Sequence, residues 1–525
     1  MTYDILITSG TILDGTGAKP WIGDIGIQKD RIAAVGNLQS AGGAVHIDAQ
    51  GKYVAPGFID ITNHSDTHLT LFKYPGADSL IMQGVTTIIG GNCGASLAPL
   101  ASHTAIQAIR KWADPSQINV NWNTFDEYLK QLDELHPGVN VGSFVGYGTL
   151  RRGIINDEVR LLTPDERDAV RYLLAEAVRQ GAFGLSMGLA YGHERVSTTE
   201  EIIDIAKILP QISGVLKLHV RSEGSGLLAS INEAVHIGRE TGASVQISHL
   251  KTIGKQSWRS FNSVLGLFAS ANASGVDINF DVSPYSTTGS LLYLLLPAWA
   301  RQNGLAALFA YLDDPVNKAK VIEELGSYTI HPDRILIIAA KLKMIVGKTL
   351  AQIAREAEIS AEEALVETVR ANEGMVRILG RTVSHHNMTL AIRDPLSLVA
   401  SDAEGSSQQE LSSGDLVHPR SFGAFPHFWH QFVQEGDNPI APELAIQKIT
   451  SGPARKLGIS QRGMLKEKNY ADIAVFDPRI IRDRATYRDP FHYPVGVEWV
   501  IVNGAVAVAQ GSYKGVRAGR ALRKA

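Results

Sequence analysis

Eight strand-like runs alternate with amphipathic helices through the middle of this chain, and that alternation limits the fold more than any other feature. The runs are Tyr53–His64, Val85–Gly90, Val139–Gly146, Ala182–Gly188, Val215–His219, Ser244–His249, Asp277–Asp281 and Leu396–Asp402. Strands separated by helices predict parallel pairing, and eight of them predict a closed (β/α)8 barrel of TIM type, an α/β fold. The helices carry their own signals. Thr163-Pro-Asp-Glu166 is a capping box with proline at the first helical position. Val170, Leu173, Leu174, Ala177 and Val178 follow at helical spacing, and Gly181 closes the helix. About 110 residues separate Asp281 from Leu396, too many for one crossover, so a helical insert is expected after strand seven.

Both ends of the chain read differently from the middle. Ile5–Thr8, Gly10–Leu13, Asp24–Ile27 and Arg31–Val35 alternate apolar and polar residues between turn signals, the pattern of short antiparallel strands. Near the other end, Ala471–Phe476 reads as a strand. Glu498–Val502, Asn503-Gly504 and Ala505–Val508 read as a hairpin, because Asn-Gly supplies the positive φ of a tight turn. The expected division is a small β-sandwich domain from 1–55 plus 455–525, a barrel from 56–290 plus 348–454, and an insert subdomain over 291–347.

Charge and cysteine usage exclude several classes. The chain has 50 basic and 53 acidic residues, a net charge of -3. It lacks the basic excess of a nucleic-acid or anionic-membrane binder. A single cysteine forms no intramolecular disulfide and fits a reducing compartment. The start, Met1-Thr-Tyr-Asp-Ile5, has no basic-then-apolar leader pattern, and Leu291–Pro297 is too short for a membrane span. A cytoplasmic enzyme acting on a small molecule is expected, with Leu291–Leu296 as a candidate oligomer interface.

The chemistry gathers at strand ends, where such barrels place it. Strand two runs into Gly90-Gly-Asn-Cys93-Gly94, strand five ends in His219, and strand six ends in His249. A lone buried cysteine is usually an inert small hydrophobe. One thiolate with two imidazoles, however, is a zinc set that leaves a position open for water.

Seven segments in chain order carry a wider likeness: Val54-Ala-Pro-Gly-Phe-Ile-Asp60, Gly84-Val-Thr-Thr87, Gly91-Asn-Cys-Gly94, His219-Val-Arg221, Ser248-His-Leu-Lys251, Ser401-Asp402 and His418-Pro-Arg420. Together they resemble the amidohydrolase superfamily and, within it, the N-acyl-D-amino-acid deacylases (D-aminoacylases). That resemblance implies zinc held by Cys93, His219 and His249, with His64 and Asp402 beside it. It implies hydrolysis of the amide of an N-acyl-D-amino acid by zinc-activated water, giving a carboxylate and a free D-amino acid. Asp402 is then the catalytic proton carrier, and Lys251, Tyr285 and Arg420 hold the substrate carboxylate. Arg420 suits that task because a guanidinium binds a carboxylate bidentately.

One position departs from the family pattern Asp-x-His-x-His. This chain reads Asp60-Ile-Thr62-Asn-His64, with threonine in place of the first histidine. A second metal, drawing on His64, Asp402 and a shared Cys93, is therefore expected to be weak or absent. Lys217, two residues before His219, invites comparison with a metal-bridging carboxylated lysine, but Cys93 already takes the bridging place in the family resembled. His68 is a weaker candidate ligand, and His385, His386, His427 and His430 are expected at the surface or behind the site. The departure at Thr62 keeps two alternatives open: an amidohydrolase for another C–N substrate such as a cyclic amide, or a non-catalytic scaffold.

Overall fold

The computed structural model describes residues 2–38, 40–301, 303–327, 330–435 and 438–524, and only the backbone of Gln256. Three positions of the expected insert, 302, 328 and 329, lie outside the described residues. The middle of the chain forms the (β/α)8 barrel. Strand two (Val85–Gly90) and strand five (Val215–His219) cover their expected spans. Strands four (Gly184–Gly188), six (Ser244–Ile247), seven (Ile278–Val282) and eight (Ser397–Val399) differ from expectation by a few residues at their ends. All neighbours pair in parallel. The ring closes between strands eight and one through the Asn63–Ala403 bridge and the bond from Asp402 N to Thr62 O, 3.0 Å.

Two expected strands are divided, each for a local reason. The run 53–64 breaks at Gly57. Tyr53–Pro56 joins the terminal sheet beside Ile473–Phe476, and Phe58–Asp60 opens the barrel. A Cβ on Gly57 would lie 2.2 Å from Thr86 Oγ1, so only glycine lets the chain cross there. His64 consequently lies beyond strand one rather than in it. Strand three breaks at Phe144 into Asn140–Ser143 and Val145–Gly146, and Phe144 N turns to Gly90 O, 3.1 Å.

The ends of the chain form one nine-stranded sheet. Ile5, Ile7, Ile25, Ile27, Ile47, Ile473, Val475 and Ile501 share its buried core. Its first strand is a single one, Thr2–Ile12, with a register shift between Ile7 and Gly10. Gly42–Asp48 pairs with it in parallel, a contact that local alternation does not announce. The Asn503-Gly504 hairpin forms as expected, with φ of 48° and 79°.

Between strands seven and eight, helices such as Gly304–Asp313, Pro315–Gly326 and Ala361–Ala371 pack with a three-stranded antiparallel sheet. Thr288–Leu291, Arg377–Gly380 and Ile335–Ala339 build that sheet. This unit has its own apolar core, running from Leu291 to Ile378 and so past residue 347. Inside the barrel, Ile61, Ile89, Phe144, Phe183, Leu398 and Ala400 fill the space with side chains, as small barrels require. No helix among the described residues is long and apolar enough to cross a membrane.

Candidate metal centre

The turn after strand two is bound on every side, and this fixes Cys93. Gly91 N donates to Asp66 Oδ2 at 2.6 Å, and Asn92 Nδ2 donates to Asn63 O and Ile89 O, both at 2.8 Å. Gly94 N donates to Ser186 Oγ of strand four at 3.2 Å. The glycines are required by close approach: a Cβ at Gly91 would lie 2.1 Å from Phe144 O, and one at Gly94 would lie 2.0 Å from Glu194 Oε1. Cys93, His249 and Asp402 all adopt left-handed backbone, with φ of 54°, 39° and 56°. Each such non-glycine residue costs about 1–3 kcal/mol, a strain typical of functional sites. In this chain it turns three chemically active side chains toward one point above the barrel.

Cys93, His219 and His249 are buried, and their ligand atoms lie within 4.8 Å of one another. Cys93 Sγ is 3.5 Å from His219 Nδ1 and 3.4 Å from His249 Nε2. Tetrahedral zinc with a sulfur at ≈2.3 Å and a nitrogen at ≈2.0–2.1 Å sets those donors about 3.5 Å apart. The trio therefore fits zinc in both donor type and spacing. Burial alone would raise the Cys93 thiol, but the charge of His249 and hydrogen bonds from His219, His249 and His64 outweigh it and hold the pKa well below the ordinary value. A thiolate is the form that binds metal. For His249, burial and Lys251 push the pKa down, while Asp402 and Cys93 more than reverse this and lift it to about 10.

His64 and Asp402 stand beside the trio. His64 Nε2 is 3.3 Å from Asp402 Oδ1, and burial, which lowers its pKa, is outweighed by Asp402 and Cys93, which raise it to about 9. Asp402 also receives Arg420 Nη1 at 2.5 Å. Burial would raise this carboxyl, but Arg420, His249 and His64 hold it well below the usual carboxylate range. Arg420 thus meets the site through Asp402. Lys251 stands behind His249, whereas Tyr285 is engaged with other partners. Lys251 Nζ donates to Glu223 Oε1 at 2.6 Å and lies 2.9 Å from His249 Nδ1. Tyr285 donates its hydroxyl to Asp483 Oδ2 at 3.2 Å and stacks on His427 at 4.3 Å. His427 packs on Tyr285 and pairs with Asp483 at 3.1 Å. His68 lies 3.3 Å from Arg377 Nη1, outside the converging trio.

Glu223 is the residue that sequence reasoning missed. Its Oε1 is 3.1 Å from His249 Nδ1 and 3.9 Å from His219 Nε2, so one carboxylate backs both imidazoles on the sides away from Cys93. Ligating histidines commonly lean on such a carboxylate, which fixes ring orientation. The available signal was an acid four residues after His219, in His219-Val-Arg-Ser-Glu223. Lys111 is a second omission: its ammonium lies 3.4 Å from Cys93 O and 3.5 Å from the centre of the Tyr191 ring.

A cleft of about 430 Å³ opens above these groups. Cys93, His219, His249, His64, Asp402, Lys251 and Arg420 line its floor, while Leu291, Leu294, Leu295, Ile338 and Ile378 of the insert form an apolar wall. The arrangement suits a ligand with one anionic group, one polar bond over the trio and an apolar portion.

Comparison with known proteins gives a consistent result. Residues 46–317 match the amidohydrolase family. A D-aminoacylase of Alcaligenes xylosoxydans xylosoxydans is 30% identical over 530 residues, covering 99% of this chain and 98% of its own. The crystal structure of N-acyl-D-glutamate deacylase from Bordetella bronchiseptica, complexed with zinc and a phosphonate mimic of the tetrahedral intermediate, aligns with a TM-score of 0.84 at 29% identity over 100% of both chains. A D-aminoacylase with a binuclear metal centre, described by one-metal activation and second-metal attenuation, aligns with a TM-score of 0.82 at 31% identity, covering 99% of this chain and 100% of the other.

Proposed function

Because this chain belongs to the D-aminoacylases of the amidohydrolase family, we propose that it hydrolyses the amide of an N-acyl-D-amino acid with one tightly held zinc ion. The observation that carries this reading is the Cys93, His219 and His249 trio at tetrahedral donor spacing. These three residues would hold the metal, with Glu223 orienting both histidines. The zinc, when bound, polarises the acyl carbonyl and lowers the pKa of a water to about 7. Asp402 takes the proton of the attacking water and passes it to the leaving nitrogen. Arg420 receives the substrate α-carboxylate. That anion competes with Asp402 for the guanidinium, so substrate binding returns basicity to Asp402 as the proton must move. Lys251 supports the same carboxylate from its place beside Glu223. Tyr285 shapes the floor under Arg420, with its hydroxyl anchored on Asp483. His64 holds Asp402 from the other side.

The division into 1–55 plus 455–525, 56–290 plus 348–454 and 291–347 is supported by separate apolar clusters, with the insert core favouring a later upper limit near Ile378. A cytoplasmic location is supported by the lone reduced cysteine. The partner is a small-molecule substrate, and balanced charge gives no support for nucleic acid.

The test is a substrate panel on the zinc-loaded enzyme: N-acetyl-D-methionine, N-acetyl-D-glutamate, their L forms, and hydantoin. Turnover confined to the D acyl compounds is expected, and turnover of hydantoin alone would overturn the reading. Asp402→Asn is expected to keep its zinc and lose about 10²–10⁴ in kcat.

A further inference from the structure

Below the trio lies a second charged cluster that the chemistry above does not use. Lys217 is in strand five, two residues before His219, so both side chains face the barrel interior. The Lys217 side chain is fully buried, as are Thr62 and Asp281. Its Nζ donates to Ile61 O and to Thr62 Oγ1, the latter at 2.7 Å, and lies 3.9 Å from Asp281 Oδ2. Thr62 in turn donates to Asp281 Oδ1 at 2.8 Å, and Asp281 Oδ1 accepts His249 N at 2.7 Å. The anionic groups acting on the ammonium are Asp281, Cys93, Asp60 and Asp402. Two of these, Cys93 and Asp402, are also the partners of His64. Both Ile61 O and Thr62 Oγ1 accept from Nζ, the partnership an ammonium satisfies.

We propose that the Lys217 ammonium, seated on Thr62, is a built-in cation that takes the place of a second metal ion and keeps this site to one zinc. The inference rests on the zinc reading of the trio. Its physical content is steric and electrostatic. An imidazole at position 62 would extend into the space where Nζ stands 2.7 Å from the threonine γ-oxygen, so threonine and lysine are a matched pair. The Lys217 side chain, 3.9 Å from Asp281 Oδ2, fills the floor under the site with a cationic group, and a cation there opposes a second divalent ion. Lys217 is on this account a positioning residue that never touches substrate. The relative with one-metal activation and second-metal attenuation supplies the contrast: excess zinc is expected to leave this enzyme unattenuated.

The experiment titrates zinc chloride into the metal-free protein and counts bound zinc by mass spectrometry after gel filtration, with activity followed in parallel. Wild type and Lys217→Arg, which keeps the charge, are expected to stop at one equivalent and to keep full activity in excess zinc. Thr62→His combined with Lys217→Ala, which opens the space and removes the charge, is expected to bind a second equivalent about 10–100-fold more tightly than wild type. Should that double variant fail to fold, Lys217→Met and the wild-type titration decide. A tight second equivalent or attenuation by zinc in wild type overturns the inference, as does a folded double variant that still stops at one. No zinc bound by wild type at all would instead overturn the zinc reading beneath it.

Discussion

His249 carries two competing duties, and its protonation links metal binding to pH. In the metal-free site, burial and Lys251 oppose its proton, yet Asp402 and Cys93 lift its pKa to about 10. A ligating imidazole must be neutral, so below that value zinc has to displace a proton. Zinc loading at pH 8 is therefore expected to release protons into a weakly buffered solution, and apparent affinity should fall ~tenfold for each unit of pH drop per proton displaced. An affinity that does not change between pH 7 and 9 would contradict this. Arg420 gives a second residue-scale prediction. Its guanidinium is paired with Asp402 at 2.5 Å, and Arg420→Met should raise KM for N-acetyl-D-methionine by roughly 10–100-fold, the worth of one charge-assisted hydrogen bond. Single residues were legible in the sequence where their type was rare. Cys93 is the only cysteine, and His219 and His249 close their strand runs. Glu223, Asp281 and Thr62's partner Lys217 were not assigned these contacts, because buried acids and lysines look like surface ones until the fold brings their neighbours together.

At the scale of elements, the loop after strand two governs the site. Its glycines are set by close approach, of Phe144 backbone at Gly91 and of the Glu194 carboxylate at Gly94, rather than by looseness. Gly91→Ala would place a methyl 2.1 Å from Phe144 O at a φ of 68°. Such a change should cost at least about 1–3 kcal/mol, lowering the melting temperature and the zinc content together. A variant that melts like wild type and holds full zinc would show that the loop is not as constrained as its contacts indicate. Helix Pro164–Arg179 makes a useful control. Thr163 Oγ1 accepts Glu166 N at 3.3 Å as half of a capping box, and Thr163→Ala should cost about 1 kcal/mol of stability with zinc binding intact. That helix was readable because cap, proline and period agree over a short span. The break of strand one at Gly57 was not, since Tyr53–Ile59 is apolar on both sides of Pro56-Gly57 and the crowding against Thr86 shows where the chain changes sheets.

The whole molecule is tied together by its last residues. Val141 N donates to Arg520 O at 2.9 Å, Leu522 N donates to Val141 O at 2.7 Å, and Leu522 packs beneath the barrel interior. The barrel was legible from strand number and order alone, while this base-capping tail and the parallel Gly42–Asp48 pairing depend on contacts far apart in sequence. These parts frame a site whose central claim is one zinc on Cys93, His219 and His249. The most direct measurement is zinc per chain together with hydrolysis of N-acetyl-D-methionine, on wild type and on Cys93→Ala. One zinc per wild-type chain, with metal and activity both lost in the variant, is the predicted result. A Cys93→Ala protein that keeps its zinc and its activity would contradict the account.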